Sequence, residues 1–151
     1  MNTLLKALGY LALTLLVLVV LVVVWFGINA SKNTELAQPY FENNLATIVG
    51  WDLEPLAPML TPSLLSQLQS EEGQRYLRKA SRLGDLQSFE RLQFLGASTD
   101  VDIDGKRYDL MGFTLLAHFA GGDAELDITL AQSGDITLVH DIRIRSSVMP
   151  E

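Results

Sequence analysis

The segment 100–105 carries the chain's most metal-like spacing, with aspartates at alternate positions and a glycine at the sixth. Such carboxylates supply the hard oxygen ligands that open an EF-hand calcium loop. That loop also needs a bidentate glutamate at its twelfth position, where this chain has Met111. Asp104-Gly105 is equally a signal for a tight hairpin turn. We therefore predict a hairpin with Val101 and Ile103 facing inward, and no metal site.

The two histidines, His118 and His140, fall in segments that we predict to be strands. Period-two alternation places His140 on the same side as Leu138 and Ile142. The chain has no cysteine, and no carboxylate stands at a metal-ligand spacing from either histidine, which disfavours zinc. Nucleophile-elbow and phosphate-loop motifs are also absent. We expect no cofactor and no catalytic residue, and interpret His140 as a polar group that lines a pocket or is hydrogen-bonded in the core.

A basic helix face is predicted where Arg75, Arg78, Lys79 and Arg82 stand at offsets of three, four and seven. This cluster could bind an acidic protein partner or lipid headgroups. The alternative is an ordinary solvated face, because two glutamates lie one turn before Arg75.

The charge of the chain is strongly acidic beyond its first third. Of its 11 Lys and Arg and 18 Asp and Glu, only Lys6 precedes residue 32, so residues 32–151 carry a net charge of −8. Such a surface repels phosphate backbones, and we expect no nucleic-acid partner.

Residues 7–31 form a run of 25 residues without a charged side chain. A helix needs about 20 apolar residues to cross the ~30 Å hydrocarbon core of a bilayer. A cleaved signal has an apolar stretch of only about 7–15 residues and a small residue three before the cut, where cleavage after Ala30 would place Ile28. We predict an uncleaved transmembrane anchor over 1–31 and an extracytoplasmic domain over 32–151.

The flanking charges predict the orientation of this single span. Lys6 precedes it, whereas Lys32 follows it and is soon countered by Glu35. Positive flanks stay in the cytoplasm, so the N-terminus should be cytoplasmic and the domain outside, by a margin of one charge.

Helices precede strands in the predicted domain. Residues 33–35 read as a spacer, and Pro39 suits the first turn of a new helix. Thr61-Pro62 should cap and open a helix over 63–83 that Gly73 divides, with Ser70 capping its second part. From Leu86 the pattern alternates, with turn signals near residues 104, 121 and 134, although 111–119 looks like a central strand covered on both sides. The fold class is α+β, with helices against four or five antiparallel strands.

The stretch 76–92 has a helix ending in Leu83-Gly84, a short turn and a long first strand. Together with the final strand from Gly134 it resembles the nuclear transport factor 2-like (cystatin-like cone) superfamily over 36–147, as a membrane-anchored bacterial member. The resemblance implies a curved sheet, a cone-shaped pocket between sheet and helices, and pairing of two copies through the sheet. The candidates to line that pocket are Phe41, Trp51, Phe113 and His140.

Our leading hypothesis is a non-enzymatic, single-pass domain that mediates protein–protein interaction or complex assembly at the outer face of the bacterial inner membrane, in the periplasm. Tethering raises its effective concentration for neighbours in the same layer. The second hypothesis is a small-ligand-binding or sensor domain that uses the apolar cone. The third and weaker hypothesis is an isomerase- or dehydratase-like enzyme. A filled cone favours the first hypothesis, an empty apolar cone favours the second, and a buried acid beside a tyrosine favours the third.

Overall fold

The computed structural model describes residues 2–147. The helices are α1 (Asn2–Ile48), α2 (Leu53–Leu56), α3 (Pro62–Gln69) and α4 (Glu71–Ala80), with 3-10 turns at Ala57–Met59 and Ser81–Leu83. The strands are β1 (Leu86–Ile103), β2 (Lys106–Phe119), β3 (Gly122–Ser133) and β4 (Ile136–Arg145). They form one antiparallel, curved sheet in the order β1-β2-β3-β4. The predicted α+β class is confirmed.

The first half of α1 is exposed and apolar. It is long and apolar enough to cross a membrane, and none of its most apolar window is buried against the rest of the chain. The second half packs into the domain, where Ala37, Phe41, Leu45 and Ile48 are buried.

Helix α1 is continuous, so residues 33–35 are helical and Pro39 lies inside the helix. This differs from the predicted spacer and new helix. An interior proline costs about 3 kcal/mol because one backbone hydrogen bond is lost. Burying each of Phe41, Leu45 and Ile48 contributes about 1.5–3 kcal/mol, so their combined burial exceeds that cost.

The short helices begin where the sequence predicts. The Thr61 hydroxyl accepts a hydrogen bond from the Leu64 N–H at 3.4 Å, and the Ser70 hydroxyl accepts one from the Gly73 N–H at 3.1 Å. The division therefore falls at Ser70. Gly73 has a different role, because a Cβ there would overlap the carbonyl oxygen of Gln67. A glycine is needed where the backbones of α3 and α4 touch.

The predicted hairpin at residues 100–105 is confirmed. Asp104 and Gly105 have φ angles of 54° and 82°, as both central residues of a type I′ turn require. Ile103 is buried and Val101 is half-buried. Within residues 2–147 no group of three metal-ligating side chains occurs.

Strand β2 alternates between two environments. Phe113, Leu115 and Ala117 are buried against the helices, whereas Leu116 and His118 are half-exposed on the outer face. The prediction of a central strand covered on both sides was wrong, because the helices cover only the concave face.

A bulge in β4 changes the predicted position of His140. Thr129 pairs with Asp141 and Leu130 pairs with Val139, which leaves His140 as the extra residue. The residues on either side of the bulge belong to different clusters, with Leu138 in a small cluster on the outer face and Val139 in the main core. The prediction that His140 shares one face with both Leu138 and Ile142 was wrong, because an extra residue reverses the alternation.

Candidate functional site

An aromatic cluster fills the centre of the concave face. The rings of Phe41 and Phe113 meet edge to face with centroids 5.4 Å apart, and Phe94 meets Phe113 at 5.6 Å. Phe41 and Phe113 are almost fully buried. The structure therefore brings these two pocket candidates together, and their rings occupy the space that an open cone would leave at this level.

The other two pocket candidates lie elsewhere. Trp51 packs near Phe119, with ring centroids 6.4 Å apart, beyond the end of α1. His140 Nδ1 lies 3.1 Å from the hydroxyl oxygen of the fully buried Thr61, whose N–H donates to the Val139 carbonyl at 3.0 Å. His140 thus ties the β4 bulge to the start of α3 and stands apart from the aromatic cluster.

A cleft of about 370 Å³ opens beside the aromatic cluster, between α1 and strands β2, β3 and β4. We call it the α1 cleft. Its lining residues are Asn33, Leu36, Ala37, Tyr40, Met111, Phe113, Leu130, Gln132 and Thr137. Of the four residues predicted to line a pocket, Phe113 lines this cleft and the other three do not.

The α1 cleft is absent from the sequence-based prediction, which treats residues 33–35 as a spacer. The sequence does contain a signal for the helical part of this cleft. Asn33, Leu36, Ala37 and Tyr40 are separated by three, four and seven residues, the spacing of one helix face. That face continues the helical pattern of Phe41 and Leu45 toward the apolar run.

The Tyr40 side chain borders this cleft with an unsatisfied polar atom. Its hydroxyl is buried and has no hydrogen-bond partner within residues 2–147. Burial raises the pKa of Tyr40, so the hydroxyl stays protonated at neutral pH.

The predicted basic face of α4 is present. Arg75, Arg78 and Arg82 are exposed and Lys79 is half-buried. None of the four forms an ion pair in the described part of the chain, where salt bridges are confined to other residues. The two preceding glutamates therefore do not neutralise this face by direct contact.

The C-terminal end of the basic face, at Arg82, lies at the end of the domain away from the apolar run, whereas Tyr76, next to Arg75, lies beside Asp141 and Ile142 of β4. The Leu83 carbonyl, just after this face, accepts a hydrogen bond from the Gly121 N–H at 2.8 Å, beyond the end of β2. The last residue of β2, Phe119, lies near Trp51. Helix α1 rises about 22 Å from Asn33 to Ile48 before this level is reached.

A tyrosine and an acid do meet near α4. Burial and the negative charge of Asp141 raise the pKa of Tyr76 to about 12. The Asp141 carboxylate, however, is 41% exposed and lies 3.0 Å from Arg143 Nε. An exposed, ion-paired carboxylate lacks the desolvation that makes a carboxylate an effective general base near neutral pH.

The outer face of the sheet is covered with opposite charges. Arg145 contacts both Glu125 and Asp127 at 2.8 Å. His118 Nδ1 lies 2.8 Å from Asp123, and its Nε2 lies 3.6 Å from Glu90. The hydrogen bond to Asp123, with the nearby carboxylate charges, raises the pKa of His118.

Comparison with models of protein families, with curated proteins and with solved structures finds no match to this chain.

Proposed function

We propose that this protein is a non-enzymatic, single-pass membrane-anchored domain that mediates protein–protein interaction or complex assembly at the outer face of the membrane. The observation that carries this proposal is the continuity of α1. Residues 7–29 are exposed and carry no charge, and the later part of the helix supplies Phe41, Leu45 and Ile48 to the core. The domain is thus joined to its anchor by helix rather than by a flexible linker.

The basic face of α4 is the surface that we assign to the partner. Its end at Arg82 lies about 22 Å beyond Asn33 along α1. Electrostatic attraction between exposed charges is screened over about 8 Å at physiological ionic strength. For Arg82 the headgroups of the anchoring membrane are therefore too distant to be the ligand, and an acidic protein surface fits the charge of the whole face.

Orientation and location follow the flanking charges. Lys6 on one side, against Lys32 and Glu35 on the other, supports a cytoplasmic N-terminus. We place the domain in the periplasm, anchored in a bacterial inner membrane, as a nuclear transport factor 2-like module. In that family's manner, two copies would pair through the sheet.

The test is co-purification of the full-length chain from detergent-solubilised membranes. We expect a protein partner that is lost from the double variant Arg75→Glu/Arg78→Glu and kept by Arg91→Glu, a charge reversal at an exposed arginine of β1. Carbonate washing should leave all three forms in the membrane fraction. Loss of the partner from the Arg91 control, its retention by the double variant, or recovery of the wild type alone would contradict the proposal.

A further inference from the structure

The geometry of the α1 cleft points to a second binding site. We propose that the cleft takes part of one acyl chain of a lipid from the bilayer in which α1 is anchored. This inference rests on the membrane anchoring proposed above and is independent of the protein partner.

The position of the cleft is the first argument. It begins at Asn33, two residues and about 3 Å along the helix beyond Ser31, where the charge-free run ends. The headgroup region adds about 5–8 Å on each side of the hydrocarbon core. The mouth of the cleft therefore opens inside this layer, with Leu36 at its wall and 72% exposed.

The chemistry of the lining is the second argument. Asn33, Gln132 and Thr137 are polar and uncharged. On the sheet, Gln132 pairs with Asp109, which precedes Met111 by two residues on β2. These polar groups therefore lie at the end of the cleft that is nearer to the apolar run. The apolar residues Ala37, Phe113 and Leu130 lie with Met111 in the rest of the lining.

A lipid matches this polarity, with its ester and headgroup at the polar mouth and its hydrocarbon against the apolar wall. None of the nine lining residues carries a charge. A phosphate or carboxylate placed inside would lose hydration without gaining a cationic partner, which is unfavourable. The lining therefore selects hydrocarbon over a charged metabolite.

The size of the cleft limits how much it can hold. From Asn33 to Tyr40 the helix rises about 10 Å. A volume of about 370 Å³ lies near the lower end of ligand pockets, which span about 300–1,000 Å³. A helix about 10 Å in diameter would occupy roughly twice this volume over the same length. The cleft thus fits a chain segment and is too small to enclose a whole partner helix.

The experiment uses the full-length chain in nanodiscs of phosphatidylcholine that carries a photoreactive diazirine on one acyl chain. After irradiation, mass spectrometry maps the labelled residues. We expect labels on residues of the apolar run and also on Met111 and Leu130, which are separated from that run by more than 75 residues of sequence.

Two variants test whether the sheet labels come from the cleft. Thr137→Phe narrows the mouth, and Leu36→Asp puts a charge at a wall position whose side chain is exposed and contributes little buried area to the fold. Each should lower the labels on Met111 and Leu130 about tenfold relative to those on the apolar run, which corresponds to about 1.4 kcal/mol. The matched control Ile136→Phe changes the neighbouring residue of β4, which is exposed and does not line the cleft, and should leave the ratio unchanged.

The outcomes separate this inference from the proposed function. Absence of labels on the apolar run would overturn the membrane anchoring itself. Labels on the run without labels on Met111 and Leu130 would overturn only the acyl-chain site. Equal labelling of Ile136 and Met111 would also overturn it, because the lipid would then touch the domain surface without selecting the cleft.

Discussion

Phe41 of α1 and Phe113 of β2 pack edge to face with their ring centroids 5.4 Å apart, and neither ring is more than 1% exposed. This contact joins the helix that carries the apolar run to a central strand of the sheet. The core of the domain is therefore built partly from that same helix.

Replacing Phe41 should reveal this dependence. Phe41→Ala removes a fully buried ring and leaves a cavity, so we expect the free energy of unfolding of the domain to fall by about 3–5 kcal/mol. Urea denaturation in detergent measures it. The control Glu42→Ala changes the adjacent, exposed residue and should shift stability by less than about 0.5 kcal/mol. A loss below about 1 kcal/mol for Phe41→Ala would show that α1 is not integral to the core.

Pro39 interrupts the hydrogen bonding of a helix that otherwise continues on both sides. Pro39→Ala restores the missing N–H donor, and the gain of about 3 kcal/mol is reduced by up to about 1 kcal/mol because the unfolded chain becomes freer. We expect a net stabilisation of about 2 kcal/mol, measured by thermal unfolding. Destabilisation by this substitution would instead place Pro39 in the first turn of a new helix, as the sequence predicted.

The Tyr40 hydroxyl is buried beside the α1 cleft without a partner in the described part of the chain. Tyr40→Phe removes this unsatisfied group while keeping the ring, so we expect the unfolding free energy to rise by about 1 kcal/mol. Tyr10→Phe, at an exposed position of the apolar run, should leave domain stability unchanged. A loss of stability in Tyr40→Phe would mean that the hydroxyl is hydrogen-bonded in solution.

His118 should titrate above the ordinary histidine pKa of 6.5 because Asp123 and Glu90 favour its charged form. A raised pKa in the folded state means that the stabilisation is fully present below pH 6.5 and is lost as the pH rises through the folded-state pKa. NMR titration of the imidazole measures this pKa. Asp123→Asn should lower it, and His118→Gln should remove this part of the pH dependence of the thermal midpoint. A His118 pKa at or below 6.5 would refute the contact with Asp123.

The features that the sequence predicted correctly are those decided by local chemistry. The hairpin turn at Asp104-Gly105 needs two residues that tolerate positive φ, and the chain supplies them in adjacent positions. The caps at Thr61 and Ser70 likewise depend on residues only three apart. Such signals are complete within a short window of sequence.

The features that the sequence did not predict depend on contacts between distant residues. The helix persists through Pro39 because Phe41 meets Phe113, 72 positions away. The β4 bulge accompanies the contact of His140 with Thr61, 79 positions away. The α1 cleft is formed by one helix and three strands, so no single segment of sequence describes it.

The unbroken α1 helix also fixes the rotation of the domain relative to the faces of the apolar run. Adding one residue between Lys32 and Asn33 would advance everything above it by about 100° and lift it by about 1.5 Å. The arginines of α4 would then lie above a different face of the apolar run, although the packing of the sheet against the second half of α1 would be preserved. The number of residues in this helix thus sets which side of the domain is aligned with which face of the apolar run.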